Sequence, residues 1–92
     1  MDTGELNRIV ASHRDFLDNK AGGQRLVRRN ADLRAARLIK QRLNRAILVG
    51  ADLSHGTFDH SSFDEADLFG ANLSYSSLSY ASLVGADIRG PT

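Results

Sequence analysis

Large apolar residues return at every fifth position along the second two-thirds of this chain, without a break. They are Leu33, Leu38, Leu43, Leu48, Leu53, Phe58, Phe63, Leu68, Leu73, Leu78, Leu83 and Ile88. An α-helix repeats its faces about every 3.6 residues and a strand about every 2, so neither keeps such a set on one side. The pattern calls for a different architecture. Gly50, Gly70 and Gly90 add a second period of twenty, in the last slot of every fourth repeat. Stacked coils place these glycines in one column, at a corner whose turn calls for positive φ. Four pentapeptides per coil and twelve repeats give three coils. At about 4.8 Å per coil the stack is about 14 Å tall.

The slots around each centre repeat as well. Two positions before it stands a small residue, from Ala31 to Ala86, with Gln41 the exception. One position before it stands mostly Asp, Asn, Ser or Thr. Ala31-Asp32-Leu33, Ala51-Asp52-Leu53, Ala66-Asp67-Leu68, Ala71-Asn72-Leu73 and Ala86-Asp87-Ile88 are the clearest units. This pattern resembles the pentapeptide-repeat family, A(D/N)LXX, over residues 31–90. The resemblance implies an all-β solenoid, a right-handed quadrilateral β-helix of about three coils. Ninety-two residues suffice for one such domain.

Residues 1–24 read differently. Leu6, Ile9, Val10, His13 and Phe16 or Leu17 follow helical spacing, Asp2 and Glu5 have capping-box spacing, and Gly22-Gly23 supplies a stop. We expect a helix over residues 3–20 that lids the N-terminal end of the solenoid, because repeat arrays need capped ends; the alternative is a helix offered to a partner protein. Residues 25–30 read as a basic linker. After the last repeat comes Gly90-Pro91-Thr92, with no helix to cover the coil of Leu73, Leu78, Leu83 and Ile88. That coil is therefore expected to be an interface, most simply of an end-to-end homodimer.

Side chains beside the centres point outward and are mostly polar. Ile47, Val49 and Phe69 depart from this on the fourth face and form a lateral apolar patch. A partner protein, the helix over residues 3–20, or the linker with Leu26 and Val27 would cover it. Gln41 should either distort the first coil between residues 36 and 47 or find backbone partners.

Charge is divided along the axis. Arg25, Arg28, Arg29, Arg34, Arg37, Lys40, Arg42 and Arg45 face only Asp32 within residues 25–45, a net of +7. Residues 46–92 hold six carboxylates against Arg89, a net of −5. This allows a solvated basic collar, self-association between basic and acidic coils, or binding of nucleic acid or another polyanion. No aromatic residue lies within 25–45, so nucleic acid would be held by its phosphates alone.

Catalysis finds little support. Asp59, His60 and Ser61 are sequence neighbours and cannot converge as a triad. His55 and His60 fall at adjacent corners, beneath Tyr75 and Tyr80. His13 reads as a packed helix residue. With no cysteine, no phosphate loop and no metal-ligand spacing, the expectation is no enzyme, no cofactor and no metal. No apolar run is long enough to cross a bilayer, and the N-terminus lacks a secretory pattern, so a bacterial cytoplasmic protein without membrane contact is expected. The resemblance also brings in gyrase interaction by DNA-shaped acidic rods. A short solenoid with a basic first coil fits that poorly.

Overall fold

The computed structural model describes residues 1–90; the expectation that touches Pro91 and Thr92 lies outside them. One helix, α1 (Thr3–Leu17), precedes a stack of coils. The coils contain isolated parallel bridges rather than continuous strands, each between residues twenty apart, from Val27↔Ile47 to Asp67↔Asp87. Each side of a coil is thus a single bridged residue between two turns. Leu33, Leu38, Leu43, Leu48, Leu53, Phe58, Phe63 and Leu68 are buried inside the stack, with Ala36, Ala46, Ala51, Ala66 and Ala71 filling the small slots.

The turns explain the pentapeptide. From Leu33 to Leu83 the carbonyl of every centre but Leu38 accepts from the N–H three residues on, as in Leu33 O with Ala36 N at 3.1 Å. The third turn residue has positive φ, the mark of a type II turn. The requirement is not confined to the glycine corner. Ala35, Lys40, Arg45, His55, His60, Glu65, Tyr75 and Tyr80 all lie at φ between 57° and 63°. A residue with a Cβ gives up about 1–2 kcal/mol there, which the stacked ladder must offset.

The polar residue before each centre also has a structural task. Asp32, Asp52, Asp67, Asn72 and Asp87 each accept, through Oδ1, from the N–H two residues on. That outward N–H would otherwise have no partner within its own repeat.

Two features of the ends differ from the sequence expectation. The helix stops at Leu17 rather than at residue 20, and glycine is not the cause. Asn19, at φ 58°, closes a Schellman motif in which Lys20 N donates to Asp15 O at 2.8 Å and Asn19 N to Phe16 O at 3.1 Å. The ladder also begins before residue 31. Arg28 N and Asn30 N donate to Ile47 O and Val49 O at 2.9 and 2.8 Å, and Ile47 N donates to Leu26 O at 2.9 Å. The basic linker is therefore one further side beneath the fourth face, with Leu26 buried in the core.

Gln41 keeps its register, since Arg37↔Thr57 and Arg42↔Ser62 both form. What changes is the turn. The buried Ser61 hydroxyl enters it, accepting from Gln41 N at 3.0 Å and donating to Leu38 O at 2.6 Å. The Gln41 amide stays partly exposed, where its Nε2 donates to Ile39 O at 3.0 Å.

Candidate interaction surfaces

The helix lies over the N-terminal end of the stack. Leu6 and Val10 join the same buried cluster as the repeat centres. His13, fully buried, ties three segments together. Its Nδ1 accepts from Leu26 N at 2.9 Å, so the ring is the Nε2–H tautomer, and that N–H donates to Asn44 O at 2.8 Å. Burial pushes the imidazole below its ordinary pKa, and Arg25, Arg45 and Arg42 push the same way, against the Asn44 bond. Around this anchor, Arg42 pairs bidentately with Asp18 at 2.9 and 3.0 Å. The Arg45 guanidinium sits 5.0 Å above the Phe16 ring, and the N-terminal amine donates to Asp32 O at 2.9 Å. The helical spacing shows that His13 points inward. Its two backbone partners come from segments 13 and 31 residues away, which the spacing cannot show.

This geometry divides the eight basic residues. Arg42 and Arg45 hold the lid. Arg34 is paired with Asp32 at 2.9 Å, which keeps the Asp32 carboxyl well below the usual range. Arg25 Nε donates to Arg45 O at 2.6 Å and Arg28 Nη1 to Val27 O at 2.9 Å. Arg29, Arg37 and Lys40 are exposed, and none is in an ion pair among the described residues. The collar is thus smaller as a binding surface than its net charge suggests.

The fourth face carries Ile47 and Val49, half-buried, beside Phe69, which is 47 % exposed. The Arg89 guanidinium lies 5.6 Å from the Phe69 ring centroid. The linker extends this patch downward with Val27, because it stacks beneath the face rather than folding over it.

At the other end, Leu73, Leu78 and Leu83 are only partly buried and Ile88 is 50 % exposed. No described residue packs over them. Tyr75 and Tyr80 stand at two corners of this coil, 85 % and 86 % exposed, each stacked on the histidine below. The rings of His55 and Tyr75, and of His60 and Tyr80, are 5.1 Å apart and within 12° of parallel. The histidines thus occupy separate corner columns, as their slots require. Asp59 accepts from the Ser77 hydroxyl, and Asp64 from the Ser82 hydroxyl and Val84 N. The bonds to Asp64, the Ser82 hydroxyl first, lower its pKa.

Among the described residues no three His, Cys, Asp or Glu side chains gather as a metal site, and no helix is long and apolar enough to cross a membrane. A hollow of about 150 Å³ lies between α1 and the first coil, with Leu6 and Leu33 beside Asn7, Arg34 and Arg37. Nothing in the repeat pattern points to it.

No curated protein matches the chain closely enough to count as a relative. The family model for pentapeptide repeats (8 copies) matches residues 29–64 and 57–90. The stacked turns and the family model agree over the same residues, and the chain belongs to the pentapeptide-repeat family.

Proposed function

We propose that this protein is a non-enzymatic interaction module that self-associates through its C-terminal coil, a dimer being the smallest product. The observation that carries this reading is the contrast between the two ends. One is closed by α1 through Leu6, Val10 and His13, and the other presents Leu73, Leu78, Leu83 and Ile88 without cover among the described residues. Apolar cross-sections with unpaired backbone edges favour association.

Absolute mass by light scattering after size exclusion, at about 50 and about 500 mM salt, tests the reading. The Debye length changes about threefold over that range, so a charge-driven contact weakens while an apolar one persists. A dimer or larger species at both salts, reduced to monomer by Leu78→Glu with Leu83→Glu, supports it. A monomer at both salts refutes it.

A second reading, polyanion binding, is favoured by Arg29, Arg37 and Lys40, which lack ion-pair partners among the described residues. Its test is retention of a duplex or a polyphosphate that falls with salt and with Arg37→Glu plus Lys40→Glu. Arg42 and Arg45 are poor choices for that test because they hold the lid.

A further inference from the structure

The backbone ladder of this solenoid is not symmetrical. Each pentapeptide sends two N–H groups toward the C-terminal side and one back. Leu33 N and Ala35 N donate forward to Asp52 O and Ser54 O at 2.8 and 2.9 Å, while Asp52 N donates back to Ala31 O at 2.9 Å. The same two-to-one ratio holds on all four sides and at both contacts between coils. The N-terminal edge of the stack is therefore rich in acceptors, and the C-terminal edge is rich in donors.

What covers the N-terminal edge matches this. Asp32 O takes the terminal amine, Ile39 O the Gln41 amide, and Asn44 O the His13 imidazole. Ile47 O and Val49 O take the linker's N–H groups. Toward that edge the cover mostly donates, with Leu26 O accepting from Ile47 N in return. The opposite edge presents the N–H groups of Leu73, Tyr75, Leu78, Tyr80, Leu83 and Gly85, none with a partner among the described residues.

Two such ends brought face to face set donors against donors, and at least half of them stay unpaired. The matching surface in this chain is the acceptor edge of the first coil. Charge points the same way. Head-to-tail stacking puts the acidic second coil of one copy two rungs, about 10 Å, from the basic first coil of the next. That is about one Debye length in physiological salt. A two-fold stack instead brings the two acidic coils toward each other.

Resting on the self-association proposed above, we infer that the C-terminal end docks on the first coil of a second copy. It takes the acceptors that α1, the terminal amine and His13 now cover, so the lid limits head-to-tail growth. Opening the lid breaks the His13 bonds to Leu26 and Asn44, the Arg42–Asp18 pair and the bonds from Gln24 N to Ser12. This contact is heterologous and opens a filament wherever the lid yields.

The absence of cysteine allows a direct test by disulfide trapping in the full chain. Tyr75→Cys is placed in one preparation and Ala35→Cys, Lys40→Cys or Arg45→Cys in others, covering three of the four quarter-turn registers of a four-sided stack; the fourth corner, Gly50, already has Asn30 stacked against it. Stacked rungs bring such corners to about 4.8 Å, within the Cα range of a disulfide. Preparations are mixed under oxidation, with and without His13→Ala in the first-coil partner. The expected result is a cross-link between the Tyr75→Cys chain and one of the first-coil variants, increased at least several-fold by His13→Ala. A cross-link only between two copies of the Tyr75→Cys chain, indifferent to the lid, overturns the head-to-tail contact while leaving self-association intact. No cross-link, together with a monomeric mass, removes both. If His13→Ala loses the β-helical circular dichroism, Val10→Ala loosens the lid without touching a hydrogen bond and is read in the same way.

Discussion

Acidifying the protein from pH 7.5 to 5 should loosen the lid, and the reason is a single proton. His13 uses Nδ1 to accept from the buried Leu26 N–H, so the imidazolium cannot form without losing that bond. Burial, with Arg25, Arg45 and Arg42 nearby, lowers its folded pKa. The unfolded chain titrates near 6.5 and therefore binds the proton first. The stabilisation is complete above about pH 6.5, declines as pH falls below it, and is exhausted once pH has passed the folded pKa. One proton gives a slope of at most about 1.4 kcal/mol per pH unit inside that window. The carboxylates contribute later. Asp18, Asp52, Asp64 and Asp87 are also held below their ordinary range, so their losses come below about pH 4. The assay is native-state amide exchange of Leu26 and of α1, corrected for intrinsic rates at each pH. Opening free energies at these amides should fall between pH 6.5 and 5, while amides of the second coil change less. His13→Leu should remove the slope. It should also lower the starting value by about 1–3 kcal/mol, because the Leu26 N–H is left buried without an acceptor. A flat profile in the parent chain, or the same slope in His13→Leu, refutes the reasoning.

Three further changes probe the coils. A Cβ on Gly56 would clash with the Phe58 ring and lie 3.0 Å from Leu53 O, so Gly56→Ala should destabilise by about 1–3 kcal/mol in chemical denaturation. Adding Phe58→Leu should recover part of that loss, giving a coupling that independent sites would not show. Ala35 holds φ at 58° with an exposed side chain, so Ala35→Gly should raise stability by about 0.5–1 kcal/mol, read as a higher melting temperature. Ser61→Ala should cost about 1–3 kcal/mol, because the Gln41 N–H and Leu38 carbonyl both lose the hydroxyl between them.

The parts of the fold legible in the sequence are those that depend on a slot in the repeat. Leu43, Leu53, Phe58 and Leu68 are buried because the fifth-residue spacing leaves them no other direction. Asp or Asn before the centre follows from the N–H it must satisfy. The less legible parts are those where a side chain hides its backbone role. Glycine marks one corner, but His55, Glu65 and Tyr80 hold the same positive φ and give no compositional sign of it. The extra side at residues 25–30 is masked because Arg28 stands where a centre is expected, while Leu26 fills the core from the small slot. Gly22-Gly23 advertises a helix end, whereas Asn19 makes the left-handed turn three residues earlier. Lid contacts such as Asp18 with Arg42 join residues 24 apart in sequence, and no local pattern encodes them.

The division of charge has a different meaning once the ladder's direction is known. An acceptor-rich edge is the negative end of the stack's net backbone dipole, and cationic groups are stabilised near such an end as they are at a helix C-terminus. The basic segment lies there, and several of its members act on that edge directly. Arg25 reaches the Arg45 carbonyl, Arg42 fastens Asp18, and Arg45 covers Phe16. Much of the +7 over residues 25–45 therefore closes an end rather than recruiting a ligand. Salt should consequently act on the lid as well as on any polyanion. The two effects separate because Arg37 and Lys40 carry charge without touching a lid residue through a side-chain hydrogen bond or ion pair. Replacing those two should change phosphate retention and leave exchange at Leu26 unaltered, whereas replacing Arg42 should speed exchange at Leu26.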